Sequence, residues 1–235
     1  MFAIFKREMR SYLTSPLGYV FIGVFLAANG LLFSYCTLEA GSDSSVGSYF
    51  TMLMFVFIIL IPLLTMKSLS EERKLRTEQL YLTSPVSLGG IVAGKFFSAY
   101  AMFALTFLLG CTNFYTLYKF GDPNTARIFG YCIATLLIGA AFIAVGIFIS
   151  SLTENQLIAA IGTIAALGLF LAIGLASSYI PYEWLRVALN WLSIYTRFSN
   201  FTFGIFDFAS VLYYASICFV FLFLTVRVYE RRRWA

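Results

Sequence analysis

Gly89, Gly94 and Lys95 fit G-x-x-x-x-G-K, the opening of a loop that wraps nucleotide phosphates. That loop needs Ser or Thr after the lysine to hold Mg²⁺, and this chain has Phe96 there. No strand pattern precedes the glycines, and the lysine leads straight into an apolar run. The spacing therefore reads as close helix packing at the start of a membrane span, with Lys95 snorkelling to the membrane surface. Other reactive chemistry is scarce. The absence of histidine removes Ser-His-Asp and Cys-His catalysis, histidine zinc sites and histidine proton relays. Cys36, Cys111, Cys132 and Cys218 form no C-x-x-C pair and lie in or beside apolar runs. They read as small buried hydrophobes, with no disulfide framework and no metal site expected.

Three polar segments remain. Residues 67–95 read KSLSEERKLRTEQLYLTSPVSLGGIVAGK. Ser68 with Glu71 has capping-box spacing, and Glu72 with Arg76 is an i,i+4 pair. The pattern predicts a helix over 69–82 that stops before Pro85. This is the main surface offered to a soluble partner, a plain solvated loop being the other reading. The second segment runs from Ser150 to Gln156. Ser151 with Glu154, and Thr153 with Gln156, again have capping-box spacing, which predicts a tight turn between two spans. Residues 1–14 form the third. They place Phe2, Phe5, Met9, Tyr12 and Leu13 on one side of a helix and Lys6, Arg7 and Arg10 toward the other. That is a basic amphipathic helix lying on a membrane surface, against the alternative of a solvated terminus. Ser15-Pro16 then supplies an N-cap and a first-turn proline.

The elements that carry these segments follow from composition. Of 235 residues, 60% are hydrophobic and only 11% charged. A soluble domain is nearer 45–50% apolar and about 25% charged, so an integral membrane protein is expected. Six runs are long enough to span: 17–38, 49–66, 96–118, 128–149, 157–177 and 208–226. None contains Asp, Glu, Lys or Arg, which argues against an ion-driven carrier or a voltage sensor. The first run is too long and too late for a cleaved signal peptide. With the N-terminus in the cytoplasm, inner segments hold Lys6, Arg7, Arg10, Lys67, Arg73, Lys74, Arg76, Lys95, Arg227, Arg231, Arg232 and Arg233. Only Lys119, Arg127, Arg186 and Arg197 fall outside, so 12 of 16 basic residues are inside and both termini are expected there.

The outer loops differ in kind. Loop 39–48 is short and rich in Gly and Ser, and 119–127 carries the turn signature Gly121-Asp122-Pro123-Asn124. Loop 178–207 places Trp184, Ala188, Trp191 and Tyr195 at helical spacing after Pro181, either an interfacial helix with aromatic anchors or a plain connector. Asn29, Ser34, Thr51, Thr106, Thr112 and Asn113 are among the few polar side chains within the spans, expected to satisfy one another or nearby backbone. Gly23 and Gly30, Gly139 and Gly146, and the small residues of the fifth span permit close helix approach, within the bundle or between subunits.

Three stretches resemble the permease subunits of ABC-2-type ATP-binding-cassette exporters, and within them the branch of the gliding-motility permease GldF. They are FKREMRSYLTSPLGYVF, IPLLTMKSLSEERKLRTEQLYLTSPVSLGGIVAGKF and GIFISSLTENQLIAA. The resemblance implies an all-α integral membrane fold over 1–235: six transmembrane helices, an N-terminal interfacial helix and a cytoplasmic coupling helix. It implies an ATPase-coupling set of Ser70, Glu71, Glu72, Arg73, Arg76, Thr77, Glu78 and Pro85. The turn with Ser151, Thr153, Glu154 and Asn155 resembles a second contact. It also implies two copies of a cytosolic ABC ATPase that carry ATP and Mg, and a second permease as homodimer or heterodimer. A GldG-like auxiliary membrane subunit goes with that branch.

The chain itself is expected to bind no cofactor and no nucleic acid, to lie in the lipid bilayer of the inner membrane, and not to be an enzyme. It is too short for six spans plus an ATPase. The expected function is a permease that couples a partner's ATP hydrolysis to export or to transmembrane force. A passive channel and a structural anchor of a secretion or motility machine are the rivals.

Overall fold

Ser15 and Pro16 split the first two helices. The Ser15 hydroxyl accepts from the Gly18 N–H at 3.3 Å, and Pro16 takes the first helical position of the second helix. The elbow is so tight that a Cβ on Gly18 would overlap the Tyr12 carbonyl. The computed structural model describes residues 2–38, 45–77, 87–120, 124–176, 182–184, 186, 193–194, 197–198 and 208–233. Helix α1 is Phe2–Thr14, and α2 is Pro16–Phe33 with a π-helical turn Ser34–Leu38. Then come α3 Ser45–Lys74, α4 Leu88–Gly110, a 3₁₀ turn Cys111–Asn113, α5 Phe114–Phe120, α6 Thr125–Leu152, α7 Gln156–Ala176 and α8 Phe208–Arg233. Six stretches are long and apolar enough to cross a membrane: Pro16–Thr37, Val46–Lys74, Leu88–Lys119, Thr125–Leu152, Gln156–Leu175 and Phe208–Arg232. Each overlaps one of the six expected runs.

Two boundaries differ from expectation. Helix α3 does not stop near residue 66 and restart at 69. It is one rod of 30 residues, about 45 Å long and so longer than the roughly 30 Å hydrocarbon core. Lys67 and Ser68 are no helix breakers, so the helix that already accommodates Pro62 continues through them. Ser68 is thus mid-helix and makes no capping box with Glu71. The rod ends in a Schellman turn. Thr77 N–H donates to the Glu72 carbonyl at 3.0 Å, Arg76 N–H donates to that of Arg73 at 3.1 Å, and Arg76 has φ 57°. Arg76 therefore lies past the helix end rather than i,i+4 from Glu72 on its surface. Likewise α4 starts at Leu88, capped by the Ser87 hydroxyl, so Gly94 and Lys95 are helical and belong to no phosphate loop.

Helix α6 is the centre, packed on α3, α4, α7 and α8. Its glycines explain how closely. A Cβ on Gly139 would overlap the Phe103 ring, and one on Gly146 would overlap the Thr65 side chain. Gly23, Gly30 and Gly89, by contrast, have open space beside them. Phe25 and Phe57 stack at 5.8 Å, with Phe103 edge-on to Phe57 at 5.2 Å. Towards the far end of the bundle, Phe50 stacks on Tyr131 at 4.9 Å. The expected local satisfaction of polar groups within the spans holds only in part, because the buried Asn29 amide nitrogen and Thr37 hydroxyl have no hydrogen-bond partner among the described residues. Thr51 donates to Gly47, Thr106 to Met102 and Thr112 to Leu109, while the Asn113 amide donates to Asn29 Oδ1 at 2.9 Å. Tyr19, Leu31, Ile161, Leu169 and Phe219 are exposed on the rims of α2, α7 and α8.

Trp184 is exposed, whereas Pro181, Ala188, Trp191 and Tyr195 lie outside the described residues. Gly139→Ala should destabilise the bundle by about 1–3 kcal/mol, because overpacking against Phe103 outweighs the helix propensity gained. Thermal melting in detergent reads the change. Arg76→Gly should stabilise the end of α3 by roughly 0.5–1 kcal/mol, since glycine takes positive φ without the steric cost. Limited proteolysis at that end is the check.

Candidate functional site

Four residues in a row, Ser70 to Arg73, leave α3 in four directions because each step turns the helix by about 100°. Ser70 is buried against α6. The Ser150 hydroxyl of α6 accepts from the Leu69 and Ser70 N–H groups at 3.2 and 3.1 Å and donates to the Met66 carbonyl at 3.2 Å. The Ser70 hydroxyl also donates to Met66. Glu71 points outward, 3.9 Å from Lys67. Arg73 reaches the turn between α6 and α7. Its Nε pairs with Glu154 at 2.9 Å, and another guanidinium nitrogen donates to the Leu152 carbonyl at 3.0 Å. From the other side, Arg232 of α8 donates to the Ser151 carbonyl at 2.6 Å.

The turn is tight, as expected, but its caps differ. Ser151 is still inside α6 and donates to Phe148. The Thr153 hydroxyl accepts from Asn155 N–H at 3.1 Å, and Asn155 Oδ1 caps α7 by accepting from Leu157 N–H at 2.9 Å. Asparagine two residues before the first free amide reaches it in an Asx turn, so neither capping box forms.

Glu72 points inward, where a charge cluster joins three helices. Lys95 of α4 is 1% exposed. Its ammonium lies 2.8 Å from Glu72, 3.2 Å from Glu8 of α1, and donates to the Ser68 carbonyl at 2.7 Å. Arg7 adds contacts to Glu72 at 3.1 Å and Glu8 at 2.5 Å. Lys95 does not snorkel. It lies about two turns inside the packed start of α4, and two carboxylates come to it. Two cations and two anions balance, which a buried cluster requires. Beside it the Tyr12 hydroxyl donates to the Leu64 carbonyl at 3.3 Å. Burial first, then the Glu8 and Glu72 carboxylates, push the Tyr12 phenol up, so it stays a neutral donor.

Helix α1 packs along α4 with a stripe different from the expected one. Ile4, Phe5, Glu8, Met9 and Tyr12 are half-buried, while Phe2, Lys6, Arg7, Arg10 and Leu13 face outward. The stripe must turn to bring Glu8 to Lys95, and this carries Phe2 and Leu13 off it. Glu8 and Ser150 were not among the expected site residues. The signal for Glu8 was its place between Ile4 and Tyr12, an acid in the middle of an apolar stripe. Ser150 gave none, since serine near a helix end is common. The structure thus joins Arg7, Ser70, Glu71, Glu72, Arg73, Ser151, Thr153, Glu154 and Asn155 in one layer. Arg76 and Thr77 form the end of α3, and Glu78 and Pro85 lie outside the described residues.

The chain is thus a bundle with six helices long and apolar enough to cross a membrane and with one charged, interlocked end. Residues 3–234 match the model of the ABC-2 family transporter protein, and the chain belongs to that family. Comparison with curated proteins gives no significant match. Members of the family are membrane permease subunits, not themselves catalytic, and membership implies an ABC ATPase and a second permease as partners.

Lys95→Met should cost about 3–5 kcal/mol by leaving two carboxylates short of a partner. Adding Glu8→Gln and Glu72→Gln should recover most of it. Chemical denaturation in mild detergent measures both.

Proposed function

We propose that this chain is the permease subunit of an ATP-driven ABC-2 exporter whose charged end faces the cytoplasm and docks a separate ATPase. The Arg73 bridge to Glu154 and Leu152 carries the reading. It ties the two segments expected to touch an ATPase, the end of α3 and the α6–α7 turn, into one unit. The placement of 12 of 16 basic residues at that end supports its facing the cytoplasm. ATP and Mg act on the partner, in two copies.

ATPase closure moves the layer, and α3 and α6 carry the motion as rigid rods through the bilayer, for export or for force on another subunit. The open glycines Gly23 and Gly30 of α2 suit a second permease, as homodimer or heterodimer. The sequence likeness to the GldF branch favours a GldG-like auxiliary subunit beside it and an inner-membrane location.

The structure sharpens the test. Glu71 is 39% exposed, whereas Glu72 is 16% exposed and engaged by Lys95. Glu71→Arg in the tagged chain should abolish co-purification of the ATPase without moving the melting temperature. Glu72→Arg should lower that temperature. If Glu71→Arg retained full ATPase and full coupled hydrolysis, the docking assignment would be wrong.

A further inference from the structure

We propose that a cavity at the charged end holds the head of one phospholipid carrying both a phosphate and a primary ammonium. The cavity, about 450 Å³, lies between the α1–α2 elbow and the last turns of α3. That volume is in the range of small-molecule sites, roughly 300–1,000 Å³. Towards the middle of the bundle it is lined by Leu17, Leu63 and Leu64, and at the charged end by Lys67 and Glu71. An apolar floor under a rim of both signs matches an amphiphile standing at the membrane surface.

Ser68 points to the occupant. It lines the cavity and is 5% exposed, yet its hydroxyl has no hydrogen-bond partner among the described residues. Thr65 and Ser70 on the same helix, and Thr106 on α4, give their hydroxyls to the carbonyl four residues back. Ser68 does not, so it keeps a donor for a phosphate oxygen. Lys95 also borders the cavity, but Glu8, Glu72 and the Ser68 carbonyl already engage the three N–H donors of its ammonium. Lys67 and Glu71 are the adaptable pair. Each is 39% exposed, and they sit 3.9 Å apart, against 2.5–3.2 Å within the buried cluster. A phosphate on Lys67 and Ser68, with an ammonium on Glu71, gives each a closer partner. A purely anionic head meets Glu71 unfavourably. A quaternary ammonium has no N–H to give it. The lipid is a resident that holds α1 against α3, and not cargo; it shares Glu71 with the proposed docking surface, and lipid binding to the chain without ATPase is read separately from docking.

Native mass spectrometry of the delipidated full chain tests this, titrated with phosphatidylethanolamine, phosphatidylcholine and phosphatidylglycerol of one chain length. One phosphatidylethanolamine should bind roughly tenfold more tightly than either other lipid, the worth of one charge-assisted hydrogen bond. Ser68→Ala and Lys67→Gln should each erase most of that preference. Ser68→Ala removes only an unpartnered hydroxyl, so its loss of binding is no folding effect. Equal binding of the three lipids, or unchanged binding by Ser68→Ala, overturns the proposal. So does displacement by chainless glycerophosphoethanolamine at equal concentration, which would make the ligand a soluble phosphoester.

Discussion

A buried lysine must find its counter-charges, and Lys95 finds them on two other helices. An ammonium at 1% exposure cannot rely on water, so Glu72 of α3 and Glu8 of α1 are drawn to it. That single requirement fixes much else. It sets the rotation of α1, since only one face of that helix carries Glu8. It sets the depth of α3 against α4, because the Ser68 carbonyl takes the third N–H of the same ammonium. The elbow at Gly18 follows, for α1 must fold back over the starts of α2 and α4 to deliver Glu8.

A second set of contacts does for α6 what Lys95 does for α1. Ser150 inserts its hydroxyl between Met66 and Ser70, and Arg73 holds the turn beyond. Neither contact is strong alone. Arg73 is 28% and Glu154 61% exposed, and an exposed pair is worth about 0–1 kcal/mol. Their value is geometric. Serine hydroxyls and a guanidinium fork add directional contacts that reinforce the register of these helices. Below this layer α3 and α6 mesh through Gly146 and Thr65, so a displacement of the layer has to move both helices.

The spans were legible because apolar length is a one-dimensional signal. The interlocked end was not, because contacts such as Arg7 to Glu72 and Lys95 to Glu8 join residues 65 and 87 positions apart. The helix expected over 69–82 shows the limit well. Capping residues mark where a helix can begin, and say nothing about whether a helix from upstream has already ended. Lys95 was misplaced for a related reason. Snorkelling is the default for a lysine beside an apolar run, and only the far partners Glu8 and Glu72 cancel it. Glu71 and Arg73 were found through resemblance, and the structure then separated their directions from that of Glu72.

Charge balance decides what this end presents to its surroundings. The cluster of Arg7, Glu8, Glu72 and Lys95 is neutral, and Lys67 faces Glu71 as Arg73 faces Glu154 and Arg227 faces Glu230. The acids of the layer are thus engaged within it. Lys6 and Arg10 on α1, Lys74 and Arg76 at the end of α3 and Arg231 on α8 remain exposed. The positive charge of this end is therefore expressed at its surface and not in its interior. Salt screens such exposed cations within about 10 Å at 0.1 M, while the buried cluster is screened far less. High ionic strength should accordingly weaken whatever meets this surface long before it loosens the layer behind it.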